Sequence, residues 1–117
     1  MIASARDREK VEERVCVLYP AAVEGALSAT MLRDRLRGLR EGGCRRVILN
    51  LEQVQEMDIP AIGAMLEESR AYRKAEGRLA VAEMAESLQE KCAVLGALAS
   101  LECFGSQRDA LVALHGG

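Results

Sequence analysis

The sequence predicts an α/β fold, a sheet with a parallel portion and helices packed on its faces. Three observations carry that prediction. Short β-branched runs alternate along the chain with stretches of helical period. One run, Val47, Ile48 and Leu49, is uninterrupted, as a strand buried on both faces requires. Half the residues are hydrophobic but only 3% are aromatic, with no tryptophan, so the core is aliphatic. At 117 residues the chain is read as one domain, residues 1–117, large enough to fold without metal or disulfides, with loose ends at about 1–10 and 115–117.

The elements follow in order. After a charged lead-in, "RVCVLYP" mixes β-branched and aromatic residues and stops at Pro20, which suits a strand. "AAVEGAL" reads as a second short strand with Gly25 as a bend. From Ser28 the period changes: Ala29, Leu32, Leu36 and Leu39 make one apolar stripe of a helix that Ser28 caps and Gly42 and Gly43 stop. "RRVILNLEQV" supplies the central strand. A helix is expected over residues 59–75, with Ile62, Met65, Leu66, Ser69 and Tyr72 inward, Glu67, Glu68, Arg70, Arg73 and Lys74 outward, and Gly77 just past its end. "RLAVAEM" is a short strand, and "ESLQEKCAVLGAL" a short helix placing Leu88, Cys92 and Leu95 inward. "LECF" reads as a last strand, and Ser106 as the cap of a final helix before the "HGG" tail.

Composition narrows the function classes. A net charge of −2 argues against nucleic acid as a partner. The arginines at 33, 35, 37, 40, 45 and 46 read as a solvated helix face, or else as a docking surface for an acidic partner. Cys16, Cys44, Cys92 and Cys103 form no C-x-x-C pair and have one histidine, His115, for company, so neither a metal site nor a cofactor is expected; the reading is four reduced, structural thiols. No stretch has the length of a signal peptide or a membrane span, so a cytoplasmic location without membrane insertion is expected. No Ser/His/Asp or Cys/His set and no phosphate loop stands out, and "EGG" at 41–43 is a helix stop, so the chain does not read as an enzyme.

"QEMDIPAIGAML" raises the functional question. Asp58 reads as the N-cap of the helix after it, and Pro60 fits the first turn, which has no need of its missing N–H. Ile59, between them, either turns inward and packs or forms the apolar centre of a docking patch.

Together with "VEGALSA", "RVILNLEQVQEMD", "AIGAML", "GRLAV" and "LGAL", and with the unbroken spacing from Asp58 through Gly63 to Gly77, the chain resembles the domain shared by sulfate transporters and anti-sigma-factor antagonists, STAS. The resemblance spans nearly the whole chain and implies a STAS-like mixed sheet. It also implies a non-catalytic regulatory module that docks on a protein partner through Met57, Asp58, Ile59, Pro60, Ala61 and Gly63. In phosphorylated relatives a serine or threonine follows the aspartate; here that position is Ile59, which has no oxygen to phosphorylate, and Ala61 stands where a glycine recurs. The nearest hydroxyls in sequence are Ser28 and Thr30, both read as helix-capping residues. The partner implied is a serine-kinase-type ATPase that sequesters a sigma factor. Alternatives are an accessory role on a lipid-transporting ABC ATPase, or sensing of a nucleotide or lipid between sheet and helices, and a homodimer stays open.

Overall fold

A computed structural model describes residues 8–12, 14–21 and 26–116. Its main sheet has five strands: β1 (Arg8–Glu12), β2 (Val15–Tyr19), β4 (Arg46–Asn50), β6 (Arg78–Ala82) and β7 (Glu102–Phe104), in that order across the sheet. β1 runs antiparallel to β2, and the rest are parallel. Two short strands, β3 (Ala26–Leu27) and β5 (Glu56–Met57), form a separate parallel pair. The helices are α1 (Ala29–Glu41), α2 (Ile59–Lys74), α3 (Glu86–Val94) and α4 (Gln107–Gly116), with a 3-10 turn at Leu98–Ser100.

Strand periodicity divides the core in two. Cys16, Leu18, Val47, Leu49, Leu79 and Val81 face a layer made by Leu32 and Leu36 of α1, Ile62, Met65 and Tyr72 of α2, and Leu88 and Cys92 of α3. Their neighbours in sequence, Val15, Val17, Tyr19, Ile48, Ala80 and Ala82, face the other way, where α4 contributes Ala110 and Leu114. The small side chains of β6 on that face leave room for α4 to lie close to the strands. With both faces covered, β4 is the interior strand its apolar run predicts.

Several expectations need correction. β1 begins inside the expected loose end, because it is stabilised by antiparallel pairing with β2 rather than by a pattern of its own. His115 lies within α4 instead of a frayed tail. The short strand expected over residues 21–27 is present at Ala26–Leu27, while its proposed bend, Gly25, lies outside the described residues. Leu66 is half-buried and packs at the edge of the core, and Leu95 is exposed because α3 ends before it; Ala97 is buried instead.

Glu68, expected outward, is buried against Arg40, whose Nη2 lies 3.2 Å from its Oε1. A charge-assisted pair is what permits a carboxylate there. Arg40 also lies over the Tyr72 ring, 5.8 Å from its centroid, and the Tyr72 hydroxyl donates to the Leu36 carbonyl at 2.7 Å. Burial, with Glu68 adding, holds the Tyr72 phenol well above its ordinary range. Finally, two of the four thiols expected to be free are joined: Cys16 and Cys44 form a disulfide across a Cα separation of 6.5 Å. Adjacency of β2 and β4 brings together cysteines that sequence spacing keeps far apart.

Candidate functional site

Residues 57–63 are held by a relay of local devices that begins where β4 ends. Asn50 Oδ1 accepts from the Glu52 amide at 2.9 Å, turning the chain, and the Val54 amide donates to the Leu51 carbonyl at 3.0 Å. Leu51 and Val54 are buried beneath that turn. β5 then pairs with β3, which buries Met57 and fixes the entry to α2. Lys91 of α3 donates to the Met57 carbonyl at 2.7 Å, a clamp between two connections at the same end of the sheet.

Asp58 is the N-cap of α2, with extended backbone and Oδ1 accepting from the Ala61 amide at 2.9 Å. Ile62 N bonds the Asp58 carbonyl at 3.0 Å to start the helical ladder. Ala61 and Ile62 are buried, which fixes the roll of the helix about its axis. That roll turns Asp58, Ile59 and Pro60 outward, and Ile59 keeps 62% of its surface in solvent. The inward alternative for Ile59 is therefore excluded. Gly63 is half-buried, and a Cβ there meets nothing within 4 Å.

Of the six sequence-chosen residues, Met57 and Ala61 are buried and anchor the segment, Asp58, Ile59 and Pro60 face water, and half-buried Gly63 leaves open space where a Cβ would stand. The helix N-terminus is a poor phosphate cradle. Pro60 brings no amide and Ala61's is taken by the Asp58 carboxylate, which already supplies the negative charge that end of the dipole favours.

Lys91 is the contributor that sequence reasoning missed. It belongs to no motif, and its relation to Met57 exists only through the fold. It borders a cleft of about 300 Å³ with Gln55, Glu56, Met57, Ser87 and Leu88. Ser28 caps α1, accepting from the Met31 amide at 3.3 Å. The arginine cluster is largely engaged internally: Arg33 pairs with Glu67, Arg35 with Glu9 and Arg40 with Glu68, while Arg45 and Arg46 donate to the Ala75 and Leu114 carbonyls. Among the described residues no group of three or more His, Cys, Asp or Glu side chains is placed to hold a metal, and no helix is long and apolar enough to cross a membrane.

The STAS domain family profile matches residues 9–110. The chain belongs to the STAS domain family. No curated protein matches the sequence. Among solved structures, an anti-sigma-factor antagonist (STAS) domain protein from Planctomyces limnophilus superposes on this STAS domain with a TM-score of 0.81 and 19% identity, over 95% of this chain and 99% of that one. The anti-sigma factor antagonist SpoIIAA in its unphosphorylated form gives a TM-score of 0.74 at 16% identity, over 95% and 97% of the two chains. The murine anion transporter Slc26a9 gives 0.73 at 13%, over 96% of this chain and 22% of its own. At these identities the likeness is one of fold.

Proposed function

We propose that this STAS domain is a non-catalytic regulatory module that docks on a protein partner through residues 57–63 and the opening of α2. Ile59 carries the reading. Val11, Val94 and Val112 are more exposed still, but Ile59 alone stands, 62% exposed, at the first position of a capped helix between two water-facing residues of the loop in question, where it can serve as the apolar centre of a contact. Burying it yields roughly 1.5–3 kcal/mol of association energy. Two of the superposed proteins are described as anti-sigma-factor antagonists, which supports a protein as the partner. The partner class we favour is a serine-kinase-type ATPase that sequesters a sigma factor. Lacking a hydroxyl at residue 59, the loop is not released by phosphorylation there, so binding through it is constitutive or controlled elsewhere.

The test is affinity for an anti-sigma kinase, or failing that an ABC ATPase, encoded beside this gene. Ile59→Asp should weaken binding about tenfold or more, since it places a charge where the anchor was. Stability should hardly change, because an acidic residue in a first helical turn suits the dipole. Glu67→Ala, on the exposed flank of α2, is the control. Undiminished affinity of Ile59→Asp for a partner that binds the wild type shows that the interface lies elsewhere.

A further inference from the structure

The Cys16–Cys44 disulfide lies beside an open cleft of about 630 Å³, whose walls include both cysteines, Gly43, Arg14, Arg45 and Arg46. Cys44 is half-buried, whereas Cys16, on the core side of β2, is only 8% exposed. Gly43 has positive φ, and a Cβ there would meet nothing within 4 Å, so the approach to Cys44 is bounded by bare backbone. Arg45 donates to the neutral carbonyl of Ala75, which leaves its charge uncompensated by that bond, whereas the Arg46 guanidinium turns to the Leu114 carbonyl on the α4 face, away from Cys16.

A half-buried cysteine joined to a more deeply buried one, beside an open cleft with Arg14 and Arg45 in its lining, has a specific chemistry. We propose that this cleft is a thiol–disulfide exchange site for an anionic low-molecular-weight thiol of the glutathione class, with Cys44 as the sulfur attacked. The thiolate of the small molecule forms a bond to Cys44 Sγ as the Cys44–Cys16 bond breaks. Cys16 leaves with the electron pair and takes a proton from water. A second thiolate then attacks the sulfur of the bound small molecule, releasing Cys44 as thiolate and the small molecule as its own disulfide. Two small thiols are oxidised and one protein disulfide is reduced, and the steps run backward when the small-molecule disulfide is in excess.

Arg14 and Arg45 act at two points: they concentrate an anion in the cleft, and they stabilise the thiolates that exchange produces. The cleft is connected to the end of α2. Cys44 continues directly into Arg45, whose backbone packs on Gly77 and whose guanidinium holds the Ala75 carbonyl at the end of α2. That end lies about 24 Å along the helix axis from Asp58.

The experiment uses the whole chain, purified without reductant and incubated with reduced glutathione. Acid-quenched samples are read by intact mass and peptide mapping. The expected result is one glutathione on Cys44 with Cys16 free, passing to two free thiols as glutathione is raised. Per thiolate, glutathione should react about tenfold faster than cationic cysteamine at low ionic strength, and added salt should erase the difference. Arg14→Gln combined with Arg45→Gln should remove most of that preference, and Arg46→Gln, on the α4 face, should leave it in place. Should the double variant not fold, Arg14→Gln alone and the salt dependence carry the same test. The proposal is overturned by an adduct on Cys16 alone, by equal rates for the two thiols, or by reaction with a protein dithiol but not with glutathione. Finding Cys16 and Cys44 unlinked before reductant is added overturns it as well.

Discussion

The two ends of α2 are seated differently: the start is buried on one side only and open on the other, while the end is gripped by backbone. At its start, the Asp58 side chain makes one capping bond, Ile59 and Pro60 lie in solvent, and Gly63 has open space around it. At its end the chain is gripped. Gly77 N bonds the Tyr72 carbonyl at 2.7 Å and Glu76 N the Arg73 carbonyl at 3.0 Å, closing the last turn while Glu76 adopts a φ of 62°. Arg78 N then bonds the Arg45 carbonyl at 2.8 Å, and Arg45 Nη1 returns to the Ala75 carbonyl at 2.5 Å. With the far end gripped and the near end seated through Met57, Ala61 and Ile62, the outward face of Asp58, Ile59 and Pro60 is offered at a fixed angle. That is the physical condition for a preorganised docking surface, since little ordering entropy remains to be lost on binding.

The sharpest way to break this contrast is to truncate one side chain at each end. Tyr72→Ala removes a fully buried ring, its hydrogen bond to Leu36 and the surface beneath Arg40, and should cost about 3–5 kcal/mol in urea unfolding. Ile59→Ala should stay within about 0.5 kcal/mol of wild type. Equal costs would mean that Ile59 is part of the fold and not an unmet contact.

Gly77 tests the grip at a smaller scale. A Cβ placed there would lie 2.3 Å from the Arg45 carbonyl oxygen, a backbone atom that cannot rotate away. Gly77→Ala should therefore cost about 1–3 kcal/mol by the same measurement. The glycine is needed for close approach, and the left-handed residue at this helix end is Glu76 instead. Sequence reading placed Gly77 correctly at the end of the helix but could not supply that reason, which depends on where the connection into β4 passes.

The same limit separates what the sequence made legible from what it did not. β2, α1, β4, α2, β6 and α4 announce themselves through periodicity and caps, because each buries a face or a stripe wide enough to pattern the chain. β1 exposes Glu9 and Val11 and carries charged residues at its other positions, so no apolar pattern marks it in sequence; its ladder with β2 defines it. β5 is two residues long, too short for any period. The burial of Glu68 required knowing that Arg40 waits on the neighbouring helix, and the disulfide required the order of strands in the sheet. At the candidate site, Asp58 and Pro60 were readable as a helix start because capping is local. Which way Ile59 faces follows from the burial of Ala61 and Ile62, a tertiary fact, and Lys91 is joined to the site only by the packing of α3 beside β5.

The smallest effect is also the most discriminating, because Gly63 is the counterpart of Gly77 near the other end of the same helix. It lies one turn inside α2, with no atom within 4 Å of where a Cβ would stand. An alanine there meets no clash and lowers the entropy of the unfolded chain, so Gly63→Ala should stabilise the protein by about 0.5–1 kcal/mol. A destabilised variant would show that the start of α2 is packed as tightly as its end. The same variant also reports on docking. If a partner's backbone approaches the helix beside Ile59, the added methyl stands in its way, and affinity should fall even as the melting temperature rises. Stability and binding would then move in opposite directions on a single substitution, which loss of fold cannot imitate. A rise in melting temperature with affinity unchanged would keep the contrast between the two ends and confine the contact to the outward face of Asp58, Ile59 and Pro60.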